Sequence, residues 1–98
     1  MLKLLRLPLA EQDLSDIWLY TFERWGDAQA DRYLRELGAA MNDLCKTPGL
    51  AKPRNEILQG LFSKLVNRHV IFCRIESDSL IVWRVLHERM DAEDHLLS

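Results

Sequence analysis

The 98-residue sequence predicts an α+β fold: an N-terminal strand, an antiparallel α-hairpin and a three-stranded antiparallel meander, in the order β-α-α-β-β-β. Two observations predict it. Between residues 9 and 46 the apolar residues recur at spacings of three and four, as in helices. From residue 57 to 87 they form short runs rich in Val, Ile, Phe and Trp, as in strands. The length supports one hydrophobic core, so residues 1–98 are expected to form a single domain.

The N-terminal strand is predicted at Leu2–Leu7, where Pro8 ends the apolar run LKLLRL. The helical period begins at Leu9, and the first helix is expected to end at Gly26, a residue type common just after a helix. One face of this helix is predicted to pack on the sheet through Ala10, Leu14, Ile17, Trp18, Thr21 and Trp25.

The second helix is predicted at Ala28–Lys46, with the Asp27 carboxylate as its N-cap and Pro48 beyond its end. Because the connection has only one or two residues, the two helices must be antiparallel neighbours. The expected apolar stripe of the second helix consists of Ala30, Tyr33, Leu34, Leu37, Met41 and Leu44.

The meander is predicted from three strands at Ile57–Val66, His69–Glu76 and Ser79–His87, which are separated by short polar breaks. The tail after the last strand is polar as far as Leu96 and Leu97. It is expected to fold back as a short turn or helix.

The net charge of −2 is unevenly distributed. Residues 47–74 carry five basic and one acidic residue, a net +4, and residues 75–98 carry two basic and six acidic residues, a net −4. A general nucleic-acid-binding protein needs a larger basic surface, so direct sequence-specific nucleic-acid binding is not predicted. Cys45 and Cys73 lie in apolar segments without CxxC spacing, which indicates free buried thiols in a cytoplasmic protein. A membrane span and a signal peptide are not predicted either.

Metal binding has one argument in its favour, because His87, Asp91 and His95 are spaced by four and would stack along a helical tail. Acidic residues surround them and the HExxH motif is absent, so no metal or cofactor is predicted. The serines and cysteines lack the motifs of activated nucleophiles, and the four glycines form no phosphate-binding loop.

Ribonuclease chemistry is the strongest catalytic alternative from the residues alone. It requires an acid, a base and cations, and His69, Arg74, Arg84 and His87 could all come from neighbouring strands. Strict alternation places Arg84 and His87 on opposite faces of the last strand, so they converge only if a β-bulge intervenes.

Three quoted segments carry a family resemblance: AEQDLSDIWLYTFERWGDAQADRYLREL, HVIFCRIE and IVWRVLHERMD. In this order they resemble the ParE toxins of bacterial toxin–antitoxin modules, a branch of the RelE/ParE superfamily. The most specific parts are WGxxQAxxY at Trp25–Tyr33 and RVLHxRMD at Arg84–Asp91. The resemblance spans Ala10–Leu96 and implies an α-hairpin packed on a small antiparallel sheet.

The resemblance implies a protein inhibitor rather than an enzyme. Such a toxin poisons DNA gyrase, has no catalytic residue of its own, and is neutralised by a ParD-like antitoxin in a heterotetramer or larger complex. Target contacts are then expected at the end of the last strand and in the tail, at Arg84, His87, Arg89, Met90 and Asp91. Antitoxin contacts are expected at basic residues and at apolar residues that face solvent: Leu19, Phe22, Arg68, Arg74, Trp83, Leu96 and Leu97.

Two alternatives remain open beside gyrase inhibition. The first is a ribosome-dependent mRNA endonuclease of the RelE type, although the chain is net negative and its tail offers only His95 as a catalytic group. Trp25-Gly26 and Met90-Asp91 match the gyrase-directed branch instead. The second is an inactive remnant that still binds an antitoxin, suggested by the acidic tail and by Cys73, where ParE-like sequences commonly have an aromatic residue.

Overall fold

The computed structural model describes residues 1–97, in which a five-stranded sheet is covered on one face by two long helices. The strand order is β1-β5-β4-β3-β2; β1 runs parallel to β5, and the other neighbours are antiparallel. The predicted α+β fold class is therefore confirmed. The elements are β1 (Lys3–Arg6), α1 (Pro8–Trp25), α2 (Asp27–Lys46), a 3₁₀ turn (Pro48–Leu50), β2 (Lys52–Pro53), β3 (Phe62–Val66), β4 (His69–Glu76), β5 (Ser79–His87) and α3 (Ala92–Leu97).

The ends of the two long helices differ slightly from the prediction. Helix α1 begins at Pro8, because the fixed φ of proline suits the first helical position and its missing N–H is not needed there. Gly26, at φ +90°, both ends α1 and occupies the N-cap position of α2. The prediction that Asp27 caps α2 is wrong, since Asp27 is already the first helical residue. Its carboxylate lies in the first turn, where the helix dipole favours negative charge.

The main core lies between the α-hairpin and the helix-facing side of the sheet. Its fully buried members include Leu37 and Met41 of α2 and Ile71 and Val82 of the sheet. Each such side chain contributes about 1.5–3 kcal/mol of burial free energy. Trp25 was expected in this core but is 72% exposed, because it is the last residue of α1 and the chain turns away at the next position.

A second, smaller cluster covers the other face of the sheet. It contains Leu61, Phe72 and Leu86, with α3 and the segment before β3 packed over it. The predicted strand Ile57–Val66 is wrong over its first half. Residues 54–61 instead form a series of turns, closed by the Gly60 amide donating to Asn55 Oδ1 at 2.9 Å. The segment is thus a folded loop, and its apolar residues still pack against this cluster.

Cys45 and Cys73 are both buried as free thiols in one apolar cluster near β1. Burial raises the pKa of Cys73 to about 11, so this thiol stays protonated at neutral pH. Among the helices of residues 1–97, none is long and apolar enough to cross a membrane.

Candidate partner-binding site

The most informative irregularity is a β-bulge near the end of β5. Cys73 pairs with Val82 and the preceding residue of β4 pairs with Arg84, which leaves Trp83 as the extra residue on β5. Val82 and Val85 consequently both face the helices and are buried in the same cluster. The bulge precedes both Arg84 and His87, so it leaves their alternation unchanged, yet both side chains line one cleft at the end of β5.

Arg84, which follows the bulge directly, contacts Asp13 of α1. The guanidinium donates from Nε to Asp13 Oδ2 at 2.8 Å and from Nη2 to Oδ1 at 2.9 Å, a bidentate ion pair. The side chains of Arg84 and Asp13 are only 18% and 11% exposed. Arg84 Nη1 also donates to the backbone carbonyl of His95 at 3.3 Å. The Asp13 carboxylate raises the pKa of Arg84, so this cation is permanent and already neutralised.

A histidine pair lies beside this ion pair, where β4 and β5 are directly opposed. The rings of His69 and His87 meet edge to face, with centroids 5.3 Å apart. Tyr33 Oη is 2.6 Å from His69 Nδ1, and it accepts the Arg68 amide at 3.3 Å. The Tyr33 hydroxyl proton is therefore available to His69 Nδ1. The Arg89 amide donates to His87 Nδ1 at 3.1 Å, so each imidazole accepts at Nδ1 and carries its proton at Nε2.

The environment of His69 keeps this ring uncharged at neutral pH. Burial, reinforced by the neighbouring His87, lowers the pKa of His69 to about 4. Burial also raises the pKa of Tyr33. At neutral pH His69 and Tyr33 are therefore uncharged hydrogen-bonding groups, whereas phosphoryl chemistry commonly uses unpaired cations.

Two adjoining clefts open above the histidine pair. One, of about 470 Å³, lies between α1 and the end of β5 and is lined by Asp13, Asp16, Ile17, Tyr20, His69, Arg84, Val85, Leu86, His87, Met90 and His95. The other, of about 350 Å³, shares Tyr20 and both histidines and extends to Trp25, Gln29, Arg68 and Arg89. Ribonuclease candidates His69, Arg84 and His87 thus line one cleft, while Arg74 lies elsewhere, over the ring of Trp83 at 5.4 Å.

The tail that follows β5 is largely exposed. Met90 is 49% exposed, and Arg89 and Asp91 also face solvent. Asp91 Oδ1 accepts the amides of Glu93 and Asp94 at 3.0 and 3.4 Å, which caps α3. The predicted short helix in the tail is present.

The spacing argument for a metal site does not apply, because α3 begins only at Ala92. His87 lies in the strand and Asp91 caps the helix, so these residues do not stack with His95 on one helical face. Within residues 1–97 there is no group of three His, Cys, Asp or Glu side chains arranged to hold a metal ion.

The predicted antitoxin contacts divide into exposed and partly covered residues. Leu19, Phe22 and Leu97 are exposed apolar residues, as expected. The expectation that Trp83 and Leu96 are exposed is wrong. Both are half-buried, because the Arg74 guanidinium covers Trp83 and Leu96 packs against the apolar cluster on the second face of the sheet.

Sequence reasoning missed three residues of this region. Tyr20 and Trp25 are exposed aromatic residues on α1 that line the clefts, and the Trp25 motif had already been noted for its family resemblance. Asp13 was missed because no local signal connects it with Arg84, which lies 71 residues further along the chain.

Chains from bacterial toxin–antitoxin complexes share this fold. A structure titled as the chromosomal ParDE system of P. aeruginosa is similar with a TM-score of 0.78 and 15% identity, covering 89% of this chain and 96% of that one. The RelBE2 complex of Mycobacterium tuberculosis is similar with a TM-score of 0.69 and 21% identity, covering 88% and 96%. The α-hairpin on a bulged sheet therefore defines a fold class that occurs in toxin–antitoxin complexes.

Sequence similarity narrows that class to a family. A protein named Toxin ParE1 from Mycobacterium tuberculosis is 38% identical over 90 residues, 91% of this chain and 92% of that protein. Toxin ParE1 of Caulobacter vibrioides is 39% identical over 87 residues, covering 89% and 90%. Residues 4–92 match the model of the ParE toxin family of type II toxin–antitoxin systems, parDE. The chain belongs to the ParE toxin family.

Proposed function

We propose that this ParE-family chain inhibits bacterial growth by poisoning DNA gyrase in the cytoplasm, and that a ParD-like antitoxin neutralises it. The observation that supports the proposal is the family match over residues 4–92, together with two relatives named Toxin ParE1 at 38–39% identity over most of the chain. The activity is inhibition by binding, so the chain supplies a contact surface and no catalytic group.

The target contacts are assigned to the end of β5 and the tail. Arg89 and Met90 project from the exposed turn between β5 and α3 and are the direct contacts. His87 and Asp91 hold that turn, since His87 accepts the Arg89 amide and Asp91 caps α3. Arg84 supports the same region through its ion pair with Asp13.

The antitoxin contacts are assigned mainly to the exposed side of α1. Leu19 and Phe22 lie on this side with the exposed aromatic residues Tyr20 and Trp25. An exposed apolar patch of this kind favours a partner that folds across it as an amphipathic helix. Arg68, Arg74, Trp83, Leu96 and Leu97 are retained as further contact candidates, and we expect a heterotetramer or larger complex.

A supercoiling assay with purified gyrase tests the proposal. The protein should inhibit supercoiling and increase the amount of gyrase trapped on cleaved DNA, and an equimolar cognate antitoxin should reverse both effects. The variants Leu19→Asp and Phe22→Asp should keep the inhibition but resist reversal by the antitoxin. Normal supercoiling at a large excess of folded protein would refute gyrase as the target.

Ribosome-dependent mRNA cleavage is kept as a second candidate, because His69, Arg84 and His87 line one cleft. Primer extension on cellular mRNA after induction separates the two functions. Cleavage that His87→Ala abolishes would support the endonuclease, and intact transcripts during growth arrest would exclude it. Normal growth during expression without antitoxin would instead support an inactive antitoxin-binding remnant.

A further inference from the structure

Asp13 is the only described residue of α1 with a side-chain hydrogen bond to the backbone of β5. Its Oδ2 accepts the Val85 amide at 2.9 Å, directly after the bulge. β1 ends at Arg6, level with Val82, so the edge of β5 beyond that point has no neighbouring strand and an amide there needs an acceptor from outside the sheet. Asp13 supplies this acceptor just beyond the bulge, where the alternation of side chains along β5 is shifted by one residue.

The same carboxylate also determines where the Arg84 guanidinium lies. Two parallel hydrogen bonds fix the plane of the guanidinium, and its remaining Nη1 then points to the His95 carbonyl of α3 at 3.3 Å. A single side chain on α1 thus connects the bulged end of β5 to the helix after the exposed tail. The tail residues Arg89 and Met90 lie between these two fixed points.

We infer that Asp13 is a positioning residue for target binding. It holds the bulge and, through Arg84, holds α3, so that the turn carrying Arg89 and Met90 is presented in one conformation. This inference rests on the proposed function, because it concerns the presentation of the gyrase-binding turn. Asp13 itself makes no contact with the target.

The isosteric variant Asp13→Asn is the direct test. An amide removes the negative charge and can accept on only one side, so the bidentate pair and the Val85 bond cannot both persist. Asp43→Asn is the matched control, since Asp43 is an exposed residue of α2 whose side chain has no hydrogen bond or ion pair within residues 1–97. Both variants make the same chemical change at the same net charge.

Three measurements are made on each folded variant: the concentration for half-inhibition of gyrase, the dissociation constant for the antitoxin, and the amide hydrogen exchange of α3. For Asp13→Asn we expect about a tenfold increase in the half-inhibition concentration and faster exchange in α3, with antitoxin affinity within about threefold of wild type. Asp43→Asn should match wild type in all three.

An equally potent Asp13→Asn variant would overturn the positioning role, as would an equal loss of gyrase inhibition and antitoxin affinity. A wild-type protein that does not inhibit gyrase would refute the proposed function itself, so the two failures are distinguishable. If Asp13→Asn does not fold, Arg84→Lys replaces it, because lysine keeps a charge beside Asp13 but cannot also reach the His95 carbonyl. Its half-inhibition concentration should rise and its α3 exchange accelerate, and unchanged values would overturn the inference.

Discussion

Arg84 and Arg89 lie five positions apart but in opposite surroundings. Arg84, in the bulged end of β5, is largely buried and binds both oxygens of Asp13 as well as a carbonyl of α3. Arg89, in the tail, is exposed, and its side chain has no hydrogen bond or ion pair within residues 1–97. Residue type alone made them equivalent candidates for target contact. Their surroundings separate a residue that supports the site from one that is available to a partner.

Removing the supporting arginine should produce the largest effect on stability. Arg84→Ala leaves the buried Asp13 carboxylate without its counter-ion, so we expect the free energy of unfolding to fall by about 2–4 kcal/mol. Urea denaturation at pH 7 measures this loss, with Arg89→Ala as the matched control. If both variants lose less than about 1 kcal/mol, the distinction between the two arginines is wrong.

His69, which lies under the tail, should make stability depend on pH. His69 has a pKa of about 4 in the folded protein, below its ordinary 6.5, so the unfolded chain binds more protons between these values. The stabilisation that comes from the neutral His69 ring should therefore be fully present above about pH 6.5. It should decrease as the pH falls towards 4. For this half-buried ring we expect a contribution of about 1–2 kcal/mol.

The variant His69→Asn isolates this contribution, because it keeps an acceptor for Tyr33 and cannot titrate. Urea denaturation of both proteins at pH 7 and pH 4.5 gives the comparison. The loss of stability on acidification should be smaller in the variant. Equal losses in the two proteins would show that other groups cause the acid sensitivity.

The opposite face of the bulge should contribute less. Arg74→Met removes the guanidinium over the Trp83 ring and keeps much of the aliphatic side chain, so we expect a loss of about 0.5–1 kcal/mol. The change should leave gyrase inhibition intact, because this stack is on the face of the sheet away from the clefts. A loss as large as that of Arg84→Ala would mean that both faces of the bulge support the site equally.

The sequence allowed the elements to be predicted because their signals are local. The three-to-four spacing through Leu37 and Met41 identifies the buried face of α2, and short polar breaks separate β3, β4 and β5. The Ile57–Val66 prediction failed over its first half, because apolar residues in a folded loop and in a strand have the same composition. Gly60 adopts a positive φ, and the turn that it forms makes this segment a folded loop and not a strand.

The candidate site was less predictable because its geometry depends on distant residues. The run from Leu80 to His87 is largely apolar, so nothing in it indicates that Trp83 is an extra residue. The bulge instead coincides with an acceptor, Asp13, from the opposite end of the chain. Only the tertiary structure reveals this pairing. The extra residue in the bulge also reverses the expected direction of every side chain beyond it.

The most direct test of the division between supporting and contacting residues is the double variant Arg89→Ala/Met90→Ala. Both side chains are exposed, so its free energy of unfolding should stay within about 0.5 kcal/mol of wild type. The measurement is gyrase supercoiling against increasing protein concentration, with antitoxin affinity determined in parallel. We expect the inhibition to fall at least tenfold while antitoxin affinity is retained. Wild-type inhibition by the double variant would contradict the assignment of the target contacts to this turn.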